Sequence, residues 1–260
     1  MSEFNAEQQN RSSSAWLHSF QTSTDKPFNS LELVFEPRKV FKYLITIISV
    51  LVTIHSIAVF YQYVLNGERA GRWIRLFDLD TEACIPSIYS SFALLLCSVL
   101  LAIITKNKYQ QTDRYRRYWK FLALTFLYLA IDEAVSIHEL MNVYVGQNIN
   151  TDGGGFFYYA WVIPAIILFS LFSLIYIKFV LSLPKKTRLL FILSAATFVG
   201  GAVGVEMIAA KILTLQGTDN LTYALMATVE ETLEMVAIAA FIYTLLDYLQ
   251  KIVKPIILRF

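Results

Sequence analysis

The chain has 260 residues, of which 56% are hydrophobic, 15% aromatic and 16% charged, and its formal charge is +2. A soluble domain carries roughly a quarter charged residues, so this composition argues against one and for a helical membrane protein. A charge this small, with no basic stripe among exposed aromatics, excludes nucleic acid as a partner.

Residues 1–39 are polar, rich in Ser, Gln and Asn, and have no apolar core. They read as a flexible cytoplasmic tail rather than a cleaved signal peptide. Apolar runs of about 20 residues are needed to cross a bilayer. The first is 40–65 and contains His55. The connection at 66–85 is mixed, with Arg69, Arg72 and Arg75 against Glu68, Asp78, Asp80 and Glu82. A second run covers 86–106, followed by a connection with Lys106, Lys108, Arg114, Arg116, Arg117 and Lys120. The third, 118–141, holds Asp132, Glu133, His138 and Glu139, and residues 142–155 after it contain no Lys or Arg. The fourth is 156–182, where Pro164 is expected to kink the helix and Pro184 to end it. Lys185, Lys186 and Arg188 lead into the fifth run, 188–212. There Ala196, Gly200, Gly201 and Gly204 give small-residue spacing just before Glu206, a pattern that lets helices pack closely. The sixth run, 222–248, carries Glu230, Glu231 and Glu234, and residues 251–260 form a short basic tail. The predicted fold is all-α: one domain over 40–250 with six transmembrane helices.

Basic residues set the orientation. They flank the cytoplasmic side of membrane proteins, and here they gather before the first span, between the second and third, between the fourth and fifth, and after the sixth. Both termini are therefore expected in the cytoplasm, which requires an even number of spans. Trp73, Trp161 and Phe156 to Tyr159 fall at outer boundaries, and Tyr115, Tyr118 and Trp119 at an inner one, as interfacial anchors do. Cys84 and Cys97 lie about 20 Å apart if both belong to one helix, too far to bridge.

Polar groups inside apolar spans mark function, because a charge in hydrocarbon is costly. At 1.5 Å per residue, Asp132 lies roughly 14 Å below the outer surface, Glu206 roughly 9 Å, Glu230 to Glu234 roughly 12–18 Å and His55 roughly 15 Å. Stretches remote in sequence thus place their acids at one depth, with Asp78, Asp80 and Glu82 at the mouth. Tyr128, Asp132, Ser136 and Glu139 follow helical spacing and predict one stripe, flanked by Glu133 and His138. Like charges as close as Glu230, Glu231 and Glu234 cannot all ionise unaided. Either several are protonated or a cation neutralises them. A divalent metal is the economical reading: iron, manganese or zinc, with ligands drawn from Asp132, Glu133, His138, Glu139, Glu206, Glu230, Glu231, Glu234 and His55. Neither the HExxH pattern nor a repeated Glu-x-x-His is present.

Phe77 to Asp80 with Glu82, Asp132-Glu133-Ala134 with Ser136 and His138-Glu139, and Glu230-Glu231 with Glu234-Met235 carry a resemblance. Together they are similar to a group of uncharacterised polytopic proteins of bacterial inner membranes, over residues 40 to 250. The resemblance implies a multi-pass inner-membrane protein of bacterial origin and no activity. The expected function is an outward-facing, metal-binding pocket, in an enzyme acting on a lipid or other hydrophobic substrate. Beyond the bilayer, a lipid-like or small-molecule ligand is the expected partner, and an oligomer is compatible with the sequence. A proton- or cation-coupled transporter is the alternative, and a structural or assembly subunit with protonated acids is a further one.

Overall fold

The computed structural model describes residues 31–32, 36–65, 75–81, 83–148, 154–217, 219–252 and 257–258. Glu82, Trp73, Arg69, Arg72 and nearly all of the predicted N-terminal tail lie outside the described residues. Two separate units are present. The small one contains an antiparallel pair of two-residue strands, β1 (Leu31–Glu32) and β2 (Ile257–Leu258), with Leu31 opposite Leu258. The large one, residues 35–253, is helical and carries the predicted site.

Helix α1 spans Pro37–Tyr63. Pro37 opens it, where a missing amide hydrogen costs nothing, and Lys39 reaches Glu36 at 2.8 Å. Helix α2, Ile85–Gln110, starts at a reciprocal cap: the Cys84 N–H donates to Ser87 Oγ at 3.0 Å, and the Ser87 N–H meets Cys84 Sγ at 3.4 Å. Helix α3, Arg116–Val135, packs along α2. The Ser91 hydroxyl donates to the Ala130 carbonyl at 2.7 Å and the Ser98 hydroxyl to the Ala123 carbonyl at 2.8 Å. Hydroxyl-to-carbonyl ties of this kind hold helices together in lipid, where apolar burial contributes little.

The predicted third span is not one helix. It breaks at Ser136, which adopts a left-handed conformation (φ 54°), and α4 resumes at Ile137 and runs to Asn148. The stripe drawn from Tyr128 to Glu139 therefore does not continue past Ser136, and Glu139 is exposed. Helix α5 begins at Val162, not at 156. Pro164 consequently sits in its first turn and causes no kink, because amides there lack helical acceptors anyway. Helix α6, Lys185–Val199, leads into a π-helical segment, Gly200–Val205, and then α7, Glu206–Gln216. Gly217, at φ 79°, ends α7 in the conformation that glycine adopts most easily. Asn220 Oδ1 accepts the Tyr223 N–H at 2.8 Å and so caps α8, Leu221–Ile252.

Among the described residues, five stretches are long and apolar enough to cross a membrane: Pro37–Tyr63, Ile85–Gln110, Val162–Ser182, Lys185–Gln216 and Leu221–Ile252. These are the lengths and compositions of a multi-pass membrane protein. The interrupted α3–α4 region is not among them, since Lys120, Asp132 and Glu133 fall within its apolar stretch.

Helix α8 is central and packs against α1, α2, α6, the π segment and α7. One end of the bundle is filled by aromatics. Trp119 stacks on Tyr248 at 5.1 Å between ring centres and meets Phe179 edge-on at 5.0 Å. Trp119 is 1% exposed, so it is a core residue rather than the interfacial anchor its position suggests. A second core group joins Ile48 and Leu51 of α1 to Leu79, Met235 and Ala239.

Candidate functional site

At the other end of the bundle, acids from α3, α7 and α8 draw together. Glu206 comes first on α7, immediately after the π segment. A π turn inserts an extra residue, rotating the rest of the helix by about 100° relative to a regular one. Gly201 of the π segment lets its backbone approach α8: a β-carbon there would lie 3.1 Å from the Glu230 carbonyl oxygen and 3.3 Å from Glu234 Cγ. Gly200 and Gly204 have nothing within 4 Å, so the small-residue contact is made by Gly201. Glu230 then lies close enough to Glu206, Glu231 and Asp80 for their charges to interact. Glu234 stands in the same relation to Glu231, Glu230, Glu133 and Glu206.

His138 is held by the break in the third span. Its N–H donates to Asp132 Oδ1 at 2.9 Å, and its Nδ1 lies 3.2 Å from Asp132 Oδ2. One carboxylate thus closes the turn at Ser136 and fixes the imidazole. The ring packs at 5.5 Å from the Trp161 indole. Trp161 in turn donates its N–H to Glu206 Oε1 at 3.1 Å. The other oxygen, Glu206 Oε2, is buried without a hydrogen-bond partner. That is costly for a carboxyl oxygen and points to a proton, water or cation there.

His55 has a different role. The Leu79 N–H donates to its Nδ1 at 3.1 Å, which fixes the tautomer with hydrogen on Nε2. Nε2 then donates to Thr228 Oγ1 at 3.0 Å, and Thr228 passes its own hydrogen to the Ala224 carbonyl at 2.7 Å. Both ring nitrogens are used in joining α1, the 75–81 segment and α8. Asp78 Oδ1 is 3.4 Å from Nδ1, and its two oxygens also meet the Asp80 N–H at 3.2 Å and the Thr81 hydroxyl at 3.1 Å.

Asp80 leads from the surface toward the cluster. Tyr223 donates its hydroxyl hydrogen to Asp80 Oδ1 at 3.3 Å. The Tyr159 hydroxyl lies 3.1 Å from that of Tyr223 and donates to it. Although part of Asp80 meets solvent, the protein packed around its carboxyl, with Asp78 beside it, pushes its pKa up to about 6. Tyr159 is within electrostatic reach of both Asp80 and Glu206. Tyr223 and Thr228 carry no signal in the sequence, and Tyr159 and Trp161 read there as membrane anchors. An aromatic at a span boundary is normally an anchor, and only tertiary contacts reveal the difference.

The structure therefore brings Glu133, Glu206, Glu230, Glu231 and Glu234 together, with His138 and its partner Asp132 at the edge. It leaves His55 and Asp78 in structural hydrogen bonds and Glu139 exposed. Among the described residues, no three His, Cys, Asp or Glu side chains already converge as a metal-binding group. Cys84 and Cys97 are both free thiols, and Cys84 is within electrostatic reach of Glu231.

Residues 44–249 match the family described as Domain of unknown function (DUF8692). No curated protein and no solved structure matches the chain.

Proposed function

We propose that the chain, which belongs to the DUF8692 family, is a multi-pass membrane protein whose clustered carboxylates bind a divalent cation. The observation that carries this reading is Glu206. Its Oε2 is buried without a partner while its neighbours Glu230 and Glu234 are themselves acidic. Buried like charges need a neutralising partner. Glu206, Glu230 and Glu234 would supply oxygen ligands, with Glu133 and Glu231 beside them and His138 completing the shell. The Asp132–His138 pair has the form in which proteins orient an imidazole for metal, a carboxylate held against one ring nitrogen. Asp132 is then a positioning residue rather than a ligand, because both its oxygens are committed to His138.

Oxygen ligands with a single imidazole suit iron, manganese or zinc. A metal bound there would act as a Lewis acid or activate water or oxygen. A site sunk among apolar helices fits a lipid-like or other hydrophobic substrate better than a soluble one. The orientation read from the basic loops would open this site to the outside of a bacterial inner membrane.

A second reading, proton or cation transfer, is favoured by one observation: the relay from Tyr159 through Tyr223 to Asp80. Such chains carry protons between a surface carboxylate and buried ones. The test is thermal unfolding of detergent-purified protein with and without chelator. The cation reading predicts a lower midpoint on chelation, restored by added metal, and little effect of chelator on Glu206→Gln. That variant retains an acceptor for the Trp161 N–H. An unchanged midpoint in the wild type would reject the metal and favour the proton relay.

A further inference from the structure

A cavity of about 300 Å³ opens at the end of the bundle remote from the carboxylates, beneath the α2–α3 turn and beside the α5–α6 turn. Its floor is aromatic, built by Trp119, Phe179 and Tyr248, and Lys108, Asp113 and Arg114 stand at its rim. Lys108 pairs with Asp113 at 3.0 Å and lies 5.7 Å from the centre of the Tyr248 ring. Arg114 is exposed, lies 5.6 Å from the Tyr115 ring centre and has no ion-pair partner among the described residues. Leu183 and Pro184 on the opposite wall connect α5 to α6, whose first turn carries no acid and no side-chain cap. Its free amide groups and the positive end of its dipole therefore face the same region. Lys186 in that first turn pairs with Asp247 at 2.6 Å.

We propose that this cavity binds the phosphate headgroup of an anionic phospholipid from the adjoining leaflet. The single negative charge on Asp113 is answered by Lys108, which leaves Arg114 and the α6 amides to receive the phosphate oxygens. Guanidinium and backbone N–H groups are the donors that suit phosphate best. The aromatic floor is closed, with Trp119 1% and Phe179 0% exposed, so the glycerol and acyl carbons, which a soluble phosphate lacks, remain in the adjoining leaflet. Basic pockets between transmembrane helices at a cytoplasmic boundary have this use. The charge pattern of the loops places this end in the cytoplasm, and the proposal does not depend on the metal reading.

The test uses the full chain in a neutral detergent and compares phosphatidylglycerol, phosphatidylcholine and inorganic phosphate, read as a shift in melting midpoint and as lipid adducts by native mass spectrometry. Phosphatidylglycerol should stabilise and form a one-to-one adduct, with phosphatidylcholine and inorganic phosphate much weaker. Arg114→Ala should weaken the phosphatidylglycerol adduct about fivefold, the effect of one basic group at an anionic headgroup. Arg117→Ala, at an exposed arginine that does not line the cavity, should leave it unaltered. Arg114 is also exposed, so its variant should fold, and an unchanged midpoint without lipid checks this. Equal shifts with the two lipids would overturn the proposal, as would equal losses in the two arginine variants. A full effect of inorganic phosphate alone would overturn the lipid assignment in favour of a soluble phosphate.

Discussion

Gly201→Ala should loosen the contact that holds the acids of α8 against the π-helical segment. The added β-carbon would stand 3.1 Å from the Glu230 carbonyl oxygen, 3.2 Å from Leu233 Cβ and 3.3 Å from Glu234 Cγ. The first two are backbone or backbone-linked atoms that cannot swing away, so the helices must part by a few tenths of an ångström. Overpacking of this kind costs about 1–3 kcal/mol. Alanine recovers up to about 1 kcal/mol through its better helix propensity. A net loss of about 1–2 kcal/mol is expected. Gly200→Ala and Gly204→Ala meet nothing within 4 Å. They keep only the favourable part and should gain up to about 1 kcal/mol. For a chain of this size about 1 kcal/mol moves the midpoint by 2–4 °C. Gly201→Ala should therefore melt several degrees below the other two when unfolding is followed by size-exclusion chromatography after heating in detergent. Coincident midpoints for all three variants would refute the close approach and the packing argument built on it.

Other perturbations probe separate parts of the molecule. His55→Ala strands the Leu79 N–H and removes a partner of Thr228, and should cost about 1–3 kcal/mol without lowering metal content, by melting and elemental analysis. Trp119→Ala, by removing a buried ring from the aromatic core, should cost about 3–5 kcal/mol in the same melts. Asp80, whose pKa is raised from 3.8 to about 6, takes up protons more readily folded than unfolded. Its contribution to stability should therefore fall as pH rises from about 4 to about 6, and a wild-type minus Asp80→Asn comparison of midpoints should show that fall. Labelling of single cysteines from outside intact cells should reach one at Asn148 and not one at Lys108, and the reverse pattern would invert the orientation.

Much of the helical frame was legible in the apolar runs. The runs at 40–65, 86–106 and 222–248 correspond to α1, α2 and α8, each with ends within four residues of the prediction. Polarity also singled out the acids expected to face the bundle interior, since an acid inside an apolar run is expensive wherever the helix points. With the depths that the spans assign, it gave the expected gathering of Glu206, Glu230 and Glu234. Ser136 was not legible. It is neither Gly nor Pro, and its left-handed turn is stabilised by Asp132 accepting the His138 N–H, a contact that exists only once the chain has turned. The π segment was equally hidden, because its glycines read the same in a regular helix. His55 shows the limit of residue type as evidence: a histidine among acids suggests a ligand, yet its ring nitrogens serve Leu79 and Thr228. Trp119 and Trp161 are both expected at span boundaries, one inner and one outer, yet the first is core and the second bonds to Glu206. Boundary position does not distinguish these fates.

The cation in the carboxylate cluster is tested most directly by elemental analysis of purified wild-type protein beside Glu206→Gln, both prepared without affinity-column metal. A cation held by Glu206 predicts a stoichiometric divalent metal in the wild type and a large loss in the variant, with both proteins eluting as folded species. A folded wild-type protein free of metal, and unable to take it up from micromolar iron, manganese or zinc, would contradict it.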